Sequence, residues 1–192
     1  MSTPKILAFS GSTRKESFNK KLLHHTAELC RKAGAEVTEI DLAQYELPIY
    51  NSDFEEESGL PKAAAELKDL FKEHDALLIS CPEYNGSITP LLKNIIDWVS
   101  RPREGEKPLE PYNGRVVSLI SASPGALGGL RGLVHVRAIL GGVGCIVLPM
   151  QVAVGGANKS LDDTGAPTAE PQQKMLARLV DELVSVTGKL RC

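Results

Sequence analysis

Five short apolar runs recur along the chain, and each is followed by a stretch with helical spacing. The runs cover residues 5–10, 36–42, 76–81, 115–120 and 145–148. Strands alternating with helices predict a parallel sheet with helices on both faces, because a parallel crossover needs a covering element. The third run, Ala76-Leu77-Leu78-Ile79-Ser80-Cys81, is almost wholly apolar and suits a central strand. The second, which alternates polar and apolar residues from Glu36, suits an edge. Five strands of this kind point to the doubly wound order 2-1-3-4-5. The expected fold is α/β and flavodoxin-like, in one domain over residues 1–192.

The helices follow from apolar faces. Phe18, Leu22, Leu23, Ala27 and Cys30 mark the first, which ends at Gly34. Pro61 opens the second, with Leu67, Leu70 and Phe71 facing inward. Thr89 and Pro90 start the third, residues 130–140 make the fourth, and residues 170–187 make the last. Residues 43–60, with the acidic run Glu55-Glu56-Glu57, are predicted to be an irregular solvated loop. Residues 150–168 are predicted to be a second long loop.

In a doubly wound sheet, ligands sit beyond the carboxyl ends of the strands where the strand order reverses. That rule selects the turns after the first, third and fourth strands. The first, Ser10-Gly11-Ser12-Thr13-Arg14-Lys15-Glu16-Ser17-Phe18-Asn19, passes into a helix. A helix start leaves backbone N–H groups without carbonyl partners and favours negative charge. Arg14, Lys15, Lys20 and Lys21 crowd this start, with Glu16 opposing them. Cations there are unfavourable by up to about 1 kcal/mol each, so a bound phosphate explains them better than capping by Ser17 alone. GxxxxGK[ST] is absent, as is GxGxxG in the first turn, which argues against P-loop and Rossmann dinucleotide sites.

The net charge of -2 gives no reason to expect nucleic-acid or anionic-membrane partners, and no run approaches a membrane span. Residues 1–5 lead directly into a strand, and no signal peptide is evident. Cys30, Cys81, Cys145 and Cys192 lack metal or disulfide spacing and are expected to be reduced thiols of a cytoplasmic protein.

The Ser10–Asn19 turn, the loop Pro82-Glu83-Tyr84-Asn85 and the later Lys93-Asn94-Ile95-Ile96-Asp97-Trp98 together resemble the NADPH-dependent FMN reductase family. The likeness is greatest to its flavodoxin-like quinone, chromate and azo-compound reductases. Ser123-Pro124-Gly125 with Gly128-Gly129 adds a third matching block, and the likeness spans roughly residues 5–150. The resemblance implies non-covalent FMN. Ser10, Ser12, Arg14, Ser17 and Asn19 would hold its phosphate, with Thr13 and Phe18 in the same cofactor-binding turn. Pro82, Glu83, Tyr84 and Asn85 would run along the isoalloxazine, Gly86 and Ser87 would lie near its reactive edge, and Ser121 and Ser123 would sit by its pyrimidine side.

It also implies NADPH or NADH as co-substrate and ping-pong transfer to a quinone or a similar small acceptor, such as free flavin, an azo compound or chromate. No catalytic side chain and no metal are expected, because the flavin carries the chemistry. A homodimer or homotetramer is implied as well. The alternative is a flavodoxin-type electron carrier between proteins, disfavoured by Arg14 and the weak net charge. A flavin-free regulator on this fold is a third reading. Among rival residues, His24 and His25 point to different helix faces. His135, Arg137 and Trp98 are expected at surfaces, contacts or packing, and Arg101 and Arg103 either at the NADPH phosphates or at a basic helix end.

Overall fold

The computed structural model describes residues 3–190, so Cys192 lies outside the described residues. Its main sheet has five parallel strands: β1 (Lys5–Ser10), β2 (Glu36–Ile40), β3 (Ala76–Ser80), β6 (Val116–Ala122) and β7 (Ile146–Val154). Their order, β2-β1-β3-β6-β7, is the 2-1-3-4-5 arrangement of a flavodoxin-like sheet. Two further strands, β4 (Glu83–Tyr84) and β5 (Ser87–Ile88), pair with each other in an antiparallel hairpin.

Both faces of the sheet are covered, which explains why its central strands are apolar at successive positions. Ile6 and Ala8 pack into a core with Leu22, Leu23 and Ala27 of α1 (Phe18–Lys32) and with Leu176, Leu179 and Leu183 of α7 (Glu170–Leu190). Leu7 and Phe9 point the other way. They meet α3 (Lys62–Glu73), α4 (Pro90–Val99) and α5 (Leu130–Gly142) through Phe71, Ile95 and Leu133. Each fully buried Leu or Phe contributes roughly 2 kcal/mol, against less than about 1 for an exposed ion pair, so these two layers hold the fold. The polar edge strand β2 has no fully buried residue.

Local signals set the helix ends. Ser17 Oγ accepts the Lys20 N–H at 3.4 Å and starts α1. Thr89 Oγ1 accepts the Leu92 N–H at 3.3 Å and starts α4, with Pro90 in its first turn.

Two expectations need correction. The acidic run is not a loop but part of a helix, α2 (Ser52–Ser58). Asn51 caps it by accepting the Asp53 N–H at 2.8 Å, and Asp53 and Glu55 in its first turn suit the positive end of the dipole. Equally, the fifth strand does not stop at residue 148 but continues through Val154. Val117 aligns with Val147 and Leu119 with Gln151, so residues 148–150 bulge opposite Ser118. Pro149 lies inside this bulge, where a missing N–H breaks no ladder bond. A short helix, α6 (Ala157–Ser160), lies within the second expected loop.

Candidate functional site

The turns after β1, β3 and β6 meet at one cleft beyond the carboxyl ends of the sheet, around a cavity of about 90 Å³. Ser12, Arg14, Ser17, Phe18 and Asn19 line it from the first turn. Pro82, Glu83 and Tyr84 come from the second, and Ala122, Ser123 and Pro124 from the third. Nine of the expected site residues are thus brought together. Ala122 and Pro124 were missed, because apolar wall residues carry no donor or charge by which a sequence reading singles them out.

The remaining expected residues stand elsewhere. Ser10 continues the Ile6–Ala8 face of β1 and lines a separate cavity with Lys20 and Asp41, its hydroxyl unpartnered. Thr13 is exposed and borders a hollow with Leu42 and Leu91. The buried Ser121 hydroxyl donates to the Gly128 carbonyl at 2.7 Å, so it ties down the third turn from behind. Asn85, Gly86 and Ser87 form the tip and return of the β4–β5 hairpin, beside the cleft wall.

Asn19 fixes the first turn to the sheet. Its side-chain oxygen accepts the Ala122 N–H and the Ser80 hydroxyl, both at 3.0 Å, while its nitrogen donates to the Ala122 carbonyl at 2.7 Å. Gly11 adds a backbone bond to the Ser80 carbonyl at 2.9 Å. A Cβ on Gly11 would stand 3.1 Å from Leu92 Cβ, so the small residue lets this turn settle on α4. The first turn is therefore anchored to β3 and β6 before any ligand arrives.

The crowd of cations is smaller than the sequence suggests. Lys20 pairs with Asp41 at 2.7 Å and Lys21 with Glu16 at 3.0 Å. Arg14, by contrast, has no carboxylate partner among the described residues, and it lines the cleft. The first turn of α1 holds no acidic residue. An unpaired guanidinium, the Ser12 and Ser17 hydroxyls and a helix start make an anion-accepting corner.

The opposite wall has different chemistry. Asn85 and Gly86 adopt φ of +52° and +80°, the two-residue primed turn that an Asn-Gly pair favours between strands. Glu83 does not offer its carboxylate to the cleft. Its Oε1 accepts from Arg131 Nε at 3.0 Å and from Nη2, and its Oε2 accepts the Gly132 N–H at 3.1 Å. Burial disfavours this carboxylate, but the Arg131 and Gly132 bonds and the Arg131 charge outweigh it and hold the carboxyl below its ordinary range. Tyr84, half exposed, is left standing at the rim.

The rival residues find structural duties. The Trp98 ring is fully buried and its Nε1 donates to the Pro48 carbonyl at 2.7 Å. Arg101 lies over the Tyr50 ring at 4.9 Å. Arg103 pairs with Asp69 and Glu106, in a cluster that also neutralises the buried Lys68. Arg137 donates to the Val147 and Pro149 carbonyls, each at 3.3 Å, and so secures the β7 bulge. His24 approaches Glu39 at 3.3 Å. Cys30, Cys81 and Cys145 are free and buried, and burial pushes the Cys30 and Cys145 thiols up to about 12. They belong to the core.

Comparison with known proteins adds a consistent set of relatives. Residues 4–159 match the family described as NADPH-dependent FMN reductase. Over 190 residues the chain is 30% identical to an NAD(P)H-dependent FMN reductase of Pseudomonas aeruginosa, covering 97% of each chain. It is 33% identical over 162 residues to a quinone reductase of Escherichia coli strain K12, covering 83% of this chain and 82% of the relative. Among solved structures, the flavoenzyme NAD(P)H:(acceptor) oxidoreductase FerB of Paracoccus denitrificans gives a TM-score of 0.79 at 28% identity, covering 97% of this chain and 98% of that one. An archaeal flavodoxin matches in fold alone, with a TM-score of 0.60 at 9% identity, covering 96% of this chain and 99% of that one.

Proposed function

The chain belongs to the NADPH-dependent FMN reductase family, and we propose that it is an FMN-dependent NAD(P)H oxidoreductase passing electrons to quinones or similar small acceptors. The observation that carries this reading is Arg14, a guanidinium without a carboxylate partner among the described residues, at the cleft where three switch-point turns meet. The donor set suits FMN. Ser12, Arg14, Ser17 and the first N–H groups of α1 would hold the phosphate, while Asn19 keeps that corner rigid. Thr13 and Phe18 would flank it, and Ser10 would support it from below. Pro82, Glu83, Tyr84 and Asn85 would form the wall along the ring system, Tyr84 supplying apolar cover. The Gly86 and Ser87 backbone would reach the reactive edge, and Ser123, with Ser121 holding the same turn at Gly128, the pyrimidine side.

FMN supplies hydride acceptance from NAD(P)H and delivery of one or two electrons. What remains for the protein is to hold one face covered and leave the other open. No side chain is assigned as acid or base. One open face visited in turn by NAD(P)H and acceptor implies ping-pong kinetics, and its permissiveness extends the acceptors to free flavin, azo compounds or chromate. Residues 1–192 act as one FMN-binding domain on this reading. Among the described residues no helix is long and apolar enough to cross a membrane. The buried free thiols fit a reducing, cytoplasmic setting. Leu127, Leu130 and Val134, exposed around the start of α5, favour self-association as a dimer or tetramer.

Anaerobic addition of NADPH to the FMN-loaded protein tests the function. Bleaching of the flavin band, reversed by a quinone, is the expected result. Bound flavin that stays oxidised would instead support an electron carrier between proteins.

A further inference from the structure

The hairpin wall of the cleft is held from outside, by α5. The start of α5 has no side-chain cap of its own, since Gly129 occupies the cap position. Glu83 supplies the missing acceptor from the hairpin: its Oε2 takes the Gly132 N–H at 3.1 Å, and its Oε1 takes the Arg131 guanidinium. A carboxylate there also complements the helix dipole. The fit is close. A Cβ on Gly132 would lie 3.2 Å from the Ser87 carbonyl oxygen and 3.3 Å from Glu83 Cβ. Ser87 Oγ adds a contact to His135 Nδ1 at 2.8 Å, one turn further along α5. The Glu83 side chain is 8% exposed, whereas that of Arg131 is 63% exposed, so the carboxylate depends on this one cation for its neutralisation.

We propose that Glu83 and Arg131 are a positioning pair that clamps the β4–β5 hairpin onto α5 and keeps this wall electrically neutral beside the flavin ring. The proposal rests on the FMN reading above. Neither residue donates or removes a proton in the reaction. Their effect is on where the Tyr84–Ser87 backbone stands and on the field at the ring, where reduction adds electron density. An unpaired carboxylate in this wall disfavours that addition, and an unpaired guanidinium, more exposed and so more screened, favours it less strongly.

The test is the flavin midpoint potential in the FMN-loaded protein for Arg131→Gln, Glu83→Gln and the double variant. Amide hydrogen exchange at residues 84–87 is measured in each protein without added FMN. Arg131→Gln is expected to lower the potential, Glu83→Gln to raise it, and the double variant to return it close to the wild-type value. Arg131→Lys, which keeps the charge and loses the fork, is expected to stay near wild type in potential. Exchange at the hairpin should rise about tenfold in each single variant, the loss of a charged hydrogen bond. If Arg131→Gln and Glu83→Gln shift the potential in the same direction, or leave it unmoved, the tuning role is overturned. Unchanged exchange overturns the clamp. If no variant or wild-type protein retains FMN, the functional reading is what fails, and the exchange result alone decides the clamp.

Discussion

The two sides of the cleft solve different problems. The side proposed for the phosphate is built from donors on one continuous piece of chain, Ser12 to Asn19, and Asn19 ties it directly to β3 and β6. The side proposed for the ring is built from backbone, a left-handed Asn85-Gly86 turn and a third turn braced by Ser121, and α5 holds it through a tertiary ion pair. On the FMN reading the first side serves affinity, since the Arg14 charge, without a carboxylate partner among the described residues, is the one a phosphate would neutralise. The second is set for geometry, since its charges already neutralise each other. On that reading anchoring and tuning are separable, and substitutions on the two sides should fail in different ways.

The largest effect is expected from breaking the joint between them. Asn19→Ala removes the brace and leaves the buried Ala122 N–H without its acceptor, at a cost of roughly 3 kcal/mol in unfolding free energy. Urea denaturation checks this, and a loss below about 1 kcal/mol would show that Asn19 is not a brace. Gly86→Ala sharpens the ring side. At φ +80° a Cβ has room, 3.8 Å from Arg131, so the cost is backbone strain alone, about 1 kcal/mol in stability. Acceptor KM should move while phosphate-side binding of FMN does not, and equal changes in both would contradict the division. The smallest effect is expected from pH. The Glu83 carboxyl sits below its ordinary value of 4.5, so its contribution is fully present above that value and is lost as pH falls through the lowered one. The difference in hairpin protection between the wild type and Glu83→Gln, corrected for intrinsic exchange, should stay constant from about pH 8 to about pH 5 and shrink only in stronger acid.

The same contrast explains what was legible in the sequence. Strand order and the first turn were readable because periodicity, caps and donors are local: Ser17, Thr89 and Pro90 start their helices as expected. The apparent excess of cations was misleading, because the pairing of Lys20 with Asp41 joins α1 to the end of β2, which no local pattern announces. Ser10 reads as a further phosphate ligand by adjacency, whereas the alternation of β1 sets it on the Ile6–Ala8 face, in a cavity shared with Lys20 and Asp41. Glu83–Arg131 spans 48 positions and depends on α5 lying across the hairpin. The α2 helix is concealed because an acidic run reads as a solvated loop and its start is marked by a single residue, Asn51, and the end of β7 because Pro149 mimics a strand stop when it sits in a bulge.

The central claim, that the Arg14 guanidinium serves the FMN phosphate, is tested most directly by comparing FMN with riboflavin. Their dissociation constants would be measured for the wild-type protein and Arg14→Ala by quenching of flavin fluorescence. A charge-assisted contact of roughly 2 kcal/mol predicts that the variant binds FMN about thirtyfold more weakly and riboflavin as well as before. Unchanged FMN binding, or equal weakening for both ligands, would contradict it.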